Sequence, residues 1–456
     1  MLTPFAWLAA LAPALPAQET PAAADARPNV ILLLADDLGR GDLSCYGGWI
    51  PTPHIDALAA GGARFGQAYA PAPVCTPSRA GLMTGLYPAR LGVQCNTGAN
   101  AVARKKGAGM PGEVVTLPER LHGLGVHSGL IGKWHLGMKA ELRPTAQGFD
   151  EFFGFLGPHH AYLPSTPDAR MLRGDESEAA PESEYLTDAL AREAAAFLGE
   201  NRARPFFLCV AFNAPHIPYE ARPDDLARFP DLKGQKRTYA AIVSALDDAV
   251  GRITARLDEL GLSERTLLVF ASDNGAAIDA ADPSGKAPGS NGEFAQGKGT
   301  LFEGGVRVPL LARWPGRIEP GRVVDAPVSL LDVDATAYEL AGATPEALAE
   351  LDGRSLLATL AASAPAERTF LWKLGPGAAI RKGSWKLVQS KDSRWLFDLA
   401  ADAREQHDLA AAQPERVQAL AAELDAWVAT LPPPAWANDA LPEPLPVLGK
   451  PYWIEY

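Results

Sequence analysis

The strongest constraint on this chain is a recurrence of short apolar runs with strand character, several of them separated by stretches that repeat at helical spacing. VILLLA (Val30–Ala35), GLIG (Gly129–Gly132), FFLCVAF (Phe206–Phe212), LLVFAS (Leu267–Ser272) and VPLLARW (Val308–Trp314) are these runs. Strands alternating with helices are the signature of an α/β sheet with helices on its faces. Between Tyr239 and Leu260, the residues Ile242, Leu246, Val250, Ile253, Leu257 and Leu260 form one helical stripe that stops at Gly261. This predicts a crossover helix leading into LLVFAS. Past about Leu360 the texture changes: AASAPAER reads as a linker, and TFLWKL, AAIRKGSWKLV and RWLFDL predict a small antiparallel sheet. A helix from about Pro414 to Leu431, apolar at Val417, Leu420, Leu424, Trp427 and Val428, would cover that sheet, with a proline-rich tail behind it. The expected organisation is a large α/β unit over residues 28–360 and a smaller α+β unit over residues 369–456.

A chain of 456 residues can build such units, and its 47% hydrophobic and 21% charged content is that of a globular protein. The net charge of −12 opposes a general affinity for nucleic acid or anionic membranes, so an anionic substrate must meet a local basic pocket. The opening MLTPFAWLAALAPALPAQ is apolar, too short to span a bilayer and ends in small residues, although no Lys or Arg precedes its apolar run. It predicts a secretory signal over residues 1–18 and an exported protein, periplasmic or secreted. No other window has the length of a membrane span. The basic cluster Arg104, Lys105 and Lys106 reads as solvated surface.

In open α/β sheets, ligands bind just outside the carboxyl ends of the strands. Asp36 and Asp37 follow the first run, Lys133, Trp134 and His135 the second, Asn213 and His216 the third, and Asp273 and Asn274 the fourth. One acidic pair after a strand is usually a turn or a cap. Polar groups delivered by four runs at the same end point to a site. Asp36, Asp37, Asp273 and Asn274 are hard oxygen donors suited to calcium or magnesium. Cys75, in PVCTPSRAG, reads as a short-loop residue that matches such an ion poorly while it remains a thiol, with SRAGLMTG opening a helix behind it. If Cys75 is used for chemistry, Cys45, Cys95 and Cys209 permit at most one intramolecular disulfide, and Cys209 in its apolar run reads as a reduced core residue.

CTPSRAG, with an ADD pair upstream and GKWHLG, GFDEFFGF, APHIPY, SDNGA and GKGTLFEGGVRVP downstream, resembles the type I sulfatases, the formylglycine-dependent arylsulfatases of the alkaline-phosphatase-like superfamily. DLAADAREQHDLA is similar to that family's C-terminal segment. The resemblance implies an alkaline-phosphatase-like α/β/α sandwich with a smaller C-terminal α+β subdomain. It implies that a formylglycine-generating maturase reads CTPSR and oxidises Cys75 to formylglycine. Residue 75 would then bind one Ca2+, or Mg2+ in its place, together with Asp36, Asp37, Asp273 and Asn274. Arg79 and Lys133 would hold the aldehyde hydrate, and His135 would take the proton that lets sulfate leave a sulfated-enzyme intermediate. His216 and Lys298, with Lys133, would bind the sulfate and assist the departing alcohol, while His159 and His160 of GPHHAYLP would line the substrate pocket. The implied activity is hydrolysis of sulfate monoesters, of a sulfated carbohydrate above all, with aryl sulfates as surrogates.

Three other readings use the same residues: a cysteine hydrolase built on Cys75 with His135 or His216, a phosphodiesterase or phosphonate monoester hydrolase of the same superfamily, and an unmatured protein that only binds sulfated glycans.

Overall fold

The computed structural model describes residues 27–97, 107–163, 170–179, 184–279, 286–361, 367–436 and 442–454. The expected leader and the Arg104–Lys106 cluster lie outside the described residues. Four parallel strands form the centre of a mixed sheet that has ten strands among the described residues. They are β1 (Asn29–Ala35), β2 (His127–Lys133), β3 (Phe206–Ala211) and β4 (Thr266–Ser272), in the spatial order β4-β1-β3-β2. β1 is apolar from Val30 to Ala35 because both of its faces are buried. Val30, Leu32 and Leu34 enter one core, and Ile31, Leu33 and Ala35 enter the other.

The helices α1 (Cys75–Thr84) and α4 (Leu331–Leu340) supply the first core; α2 (Leu186–Glu200) and α3 (Gly234–Glu259) supply the second, completing an α/β/α sandwich. α3 is the crossover helix the sequence predicts, begun earlier at Gly234, with Ile242, Leu246, Val250, Ile253 and Leu257 buried.

The run VPLLARW does not form one strand. Arg307–Val308 pairs with Ala68–Tyr69 in a separate three-stranded sheet, while Leu310–Arg313 joins the main sheet antiparallel to β4. Pro309 lies between them and has no N–H with which to continue a ladder.

The C-terminal sheet is an antiparallel meander of Thr369–Leu374, Gly377–Lys382, Trp385–Ser390 and Ser393–Asp398. AAIRKGSWKLV is therefore two strands, turned at Gly383, whose φ of 59° favours glycine. One face takes α5 (Pro414–Val428) through Leu420, Ala421 and Leu424. The other face packs Phe370, Trp372, Trp395 and Phe397 on Tyr69, Leu301, Phe302 and Val306 of the large unit. The proline-rich tail also differs from expectation: Glu443–Val447 and Lys450–Ile454 form a hairpin whose Tyr452 is buried in that interface. Among the described residues, the four cysteines form no disulfide with one another, and no helix is long and apolar enough to cross a membrane.

Candidate active site

The carboxyl ends of β1 to β4 converge as expected. Asp36 and Asp37 leave β1 in a turn in which the Asp36 N–H donates to Ala214 O at 3.0 Å and Asp37 adopts a φ of 64°. The Leu38 N–H donates to Ser272 Oγ at 2.9 Å, and that hydroxyl donates to Asn274 O at 2.8 Å, which ties the β1 turn to the β4 turn. Gly275 has no Cβ because one would sit 1.8 Å from Gly304 O; the chain after Asn274 thus runs directly against the segment that follows Lys298.

Cys75 is not in a loop. It is the first residue of α1, and Pro77 is tolerated there because the first-turn N–H groups have no intrahelical partner to lose. The Thr76 N–H is instead capped by Asn96 Oδ1 at 2.9 Å. The thiol is buried, with Sγ 3.5 Å from Asp36 Oδ1 and 3.9 Å from Asp37 Oδ1. Burial, reinforced by Asp36 and Asp273, pushes the Cys75 thiol far above its ordinary range despite Lys133 and Lys298. A thiol whose ionisation is opposed in this way is a poor nucleophile, which disfavours the cysteine-hydrolase reading.

Three cations pair with three acids around that sulfur. Lys133 Nζ lies 2.5 Å from Asp36 Oδ2, Lys298 Nζ 2.7 Å from Asp37 Oδ2, and Arg79 Nε 2.9 Å from Asp273 Oδ2. Arg79 also donates to Lys133 O at 3.1 Å, and Ser78 Oγ to Asp273 O at 2.5 Å. Burial opposes ionisation of Asp37, yet Lys298 and His216, with hydrogen bonds from Lys298 and Asn274, hold its carboxyl well below the usual carboxylate range. Burial and the adjacent Asp36 instead push Asp273 up to about 6, against the pull of Arg79.

His135 is buried in a left-handed conformation, φ 60°, and neither ring nitrogen has a hydrogen-bond partner among the described residues. Burial, Lys133 and Arg79 hold its pKa well below the ordinary histidine value, so the ring is a neutral base at pH 7. Thr76 Oγ1 donates to His135 O at 3.1 Å and fixes the turn. His216 Nδ1 lies 2.8 Å from Ile217 O and its Nε2 lies 3.5 Å from Asp37 Oδ2; burial and Lys298 lower its pKa to about 3.

The two histidines of GPHHAYLP part company. The exposed His159 ring stacks on His216, with centroids 6.3 Å apart and planes 11° apart. His160 turns inward against Phe155, and its carbonyl accepts from Asn213 Nδ2 at 3.1 Å.

Some site residues escape sequence reasoning. Tyr162 Oη reaches Asn213 O at 2.9 Å and His216 O at 2.8 Å, holding the turn that presents His216. Thr76 and Ser78 lie inside the CTPSR motif and could have been found there, whereas Asn96 carries no local signal.

The donor set fits a cation. Asp36, Asp37, Cys75 and His216 each offer a ligand atom, all within 4.8 Å of one another, and the buried Asn274 Oδ1 has no partner among the described residues. The other amide atom of Asn274, Nδ2, donates to Asp37 Oδ1 at 2.7 Å.

Residues 28–343 match the family model "Sulfatase". This chain belongs to the sulfatase family. Residues 292–431 match the C-terminal model of N-sulphoglucosamine sulphohydrolase, which spans the junction between the large unit and the C-terminal sheet. This sulfatase is 37% identical to steryl-sulfatase of Mus musculus, over 76% of this chain and 67% of that protein. It is 37% identical to N-acetylgalactosamine-6-sulfatase of Canis lupus familiaris, over 79% of this chain and 71% of that protein. Among solved structures it is similar to Ps i-CgsB in complex with k-i-k-neocarrahexaose, at 33% identity and a TM-score of 0.83, covering 90% of this chain and 94% of that one. As a member of this family the protein is a sulfuric ester hydrolase.

Proposed function

We propose that this sulfatase hydrolyses sulfate monoesters of carbohydrates at residue 75, after a maturase has oxidised Cys75 to formylglycine and one Ca2+, or Mg2+, has bound. The observation that carries this reading is the ring of three acids and three cations around Cys75, beside a neutral His135 whose two ring nitrogens have no partner among the described residues. Asp36, Asp37, Asp273 and Asn274 would hold the cation. When bound, the cation and the matured residue supply an oxygen nucleophile of lowered pKa and a counter-charge for sulfate.

The remaining work falls to this chain's own side chains. Lys133, Lys298 and Arg79 carry positive charge toward an ester whose negative charge spreads as its S–O bond breaks. Salt bridges to Asp36, Asp37 and Asp273 hold them in place beforehand, which reduces reorganisation during reaction. His135 accepts a proton at a ring nitrogen as sulfate is released. His216 and Lys298, both against Asp37, serve the departing alcohol, which needs a proton or a cation.

Carbohydrate is favoured as the alcohol because two of the relatives are named for, or captured with, sugars: N-acetylgalactosamine-6-sulfatase and the complex with k-i-k-neocarrahexaose. Export is part of the proposal, on the leader-like residues 1–18. The test is parallel turnover by matured, metal-loaded protein of sulfate and phosphate esters of one leaving group, then of sulfated mono- and oligosaccharides. Faster cleavage of the phosphate ester would overturn the sulfatase assignment; binding of sulfated sugars without turnover would favour a binding protein.

A further inference from the structure

A cleft of about 460 Å³ is lined by the two segments that leave Asn274 and lead into Lys298. One wall is the chain leaving Asn274, through Ile278 and Asp279; another is the chain entering Lys298, through Phe294 and Gln296. Ser290 and Leu445, the latter from the C-terminal hairpin, also line it. The two walls are locked together. The Lys298 N–H donates to Ala276 O at 3.0 Å, and the Asn291 amide receives the Ala276 N–H at 2.8 Å while donating to Gln296 O at 3.0 Å. The cleft therefore holds its position relative to the cation that faces the departing alcohol.

Its chemistry is selective. Gln296 sits at φ 61°, a left-handed conformation uncommon for a residue other than glycine, and its side-chain amide makes no hydrogen bond to a described residue. Phe294, Ile278 and Leu445 add apolar surface, and Ser290 adds a hydroxyl. Among the described lining residues, Asp279 is the only one with an ionisable side chain. Arg40 and Arg307 stack on the Phe294 ring, but both guanidinium groups donate to Gly66 O. Apolar faces beside a free amide and a hydroxyl whose oxygen accepts the Gly292 N–H at 3.2 Å suit a sugar ring with unmodified hydroxyls. Among the described lining residues, a sulfate group placed there would meet a carboxylate and no cation.

We propose that this cleft binds an uncharged sugar unit attached to the sulfated one, with Gln296 as its specificity-determining contact. The proposal rests on the carbohydrate-sulfatase reading above and extends it to the neighbouring unit.

The test compares kcat/KM for a sulfated monosaccharide, for disaccharides carrying the same sulfated unit next to a neutral or a second sulfated sugar, and for 4-nitrophenyl sulfate. A neutral neighbour should raise kcat/KM at least tenfold over the monosaccharide, and a sulfated neighbour should not. Gln296→Asn and Gln296→Gly both tolerate the left-handed backbone. Each should lower the ratio of neutral disaccharide to 4-nitrophenyl sulfate about tenfold. Equal rates with and without the neutral neighbour, a gain that survives both variants, or turnover of 4-nitrophenyl sulfate with no disaccharide cleaved would each overturn the proposal. Failure of matured, metal-loaded protein to cleave any sulfate ester would break the underlying sulfatase reading instead.

Discussion

Lys386 stands at the centre of a buried charge network that joins the C-terminal sheet to the segment following Lys298. Its Nζ has no solvent exposure and lies 2.8 Å from Glu303 Oε1 and 3.0 Å from Glu405 Oε1. Glu405 Oε2 accepts the Glu303 N–H at 2.6 Å, and Glu303 Oε2 accepts from Tyr69 Oη at 2.8 Å and from Arg307 at 3.2 Å. Burial opposes ionisation of Glu303, but Lys386, Arg307 and Arg381 outweigh it and hold its carboxyl down at about 2. Burial and the charge of Glu303 push Glu405 up to about 7 despite Lys386.

Lys386→Met keeps most of the stem volume and removes the cation. Breaking a buried ion pair by deleting one partner costs about 3–5 kcal/mol. Glu303 retains Arg307, so the uncompensated charge falls on Glu405, which can shed it by binding a proton. The loss should therefore sit near the lower bound at pH 6 and grow toward pH 8. The sign follows from linkage: an acid with a raised folded-state pKa contributes stability below its unfolded value and loses it as pH climbs through the folded value. Removing Lys386 raises that folded value further, and each additional unit costs up to about 1.4 kcal/mol on the alkaline side.

Urea unfolding followed by tryptophan fluorescence at pH 6 and pH 8 measures both effects. The companion Lys386→Met/Glu405→Gln should recover at least half of the pH 8 loss, because an amide needs no counter-charge. A loss under about 1 kcal/mol, far below the range for a broken buried pair, or one that is the same at both pH values, would refute the reasoning.

Cys75→Ala should fold and lack turnover, and mass spectrometry of the residue-75 peptide should find an aldehyde after co-expression with a maturase; equal sulfate-ester turnover by fully unmodified thiol protein would contradict this. Asp36→Ala and Asp37→Ala should lower calcium or magnesium content by more than tenfold and abolish activity, read by elemental analysis beside the assay; zinc at full occupancy in the parent protein would contradict the oxygen-donor argument. His216→Ala and Lys298→Ala should slow cleavage of sugar sulfates at least tenfold more than that of activated aryl sulfates, since poor leaving groups depend most on a proton or cation; equal losses on both would mean their roles are misassigned. Tyr162→Phe should cost about 1–2 kcal/mol in unfolding free energy by releasing the Asn213–His216 turn, and should lower kcat on sugar sulfates more than on aryl sulfates; a stability loss with no such split would make Tyr162 structural only.

The sequence by itself determined the layers and the end of the sheet at which chemistry gathers. Runs such as VILLLA and the stripe from Ile242 to Leu257 carry local periodicity, and a strand's carboxyl end can be read from the residues that follow it. That was enough to bring Asp36, Asp37, Lys133, His135, His216, Asp273 and Asn274 to one place. The tertiary structure decided the pairings: Lys133 with Asp36, Lys298 with Asp37, Arg79 with Asp273. It also separated His159, stacked on His216, from the inward-turned His160, although the two are adjacent in the chain. The same holds for the tail, where the spacing of Tyr452 gives no hint that it packs on Phe302, and for Lys386, an unremarkable strand lysine until Glu303 and Glu405 close around it. Periodicity is a property of neighbours along the chain. Burial, charge pairing and the unpartnered nitrogens of His135 depend on segments hundreds of residues apart meeting at ångström distances, and no local pattern records that meeting.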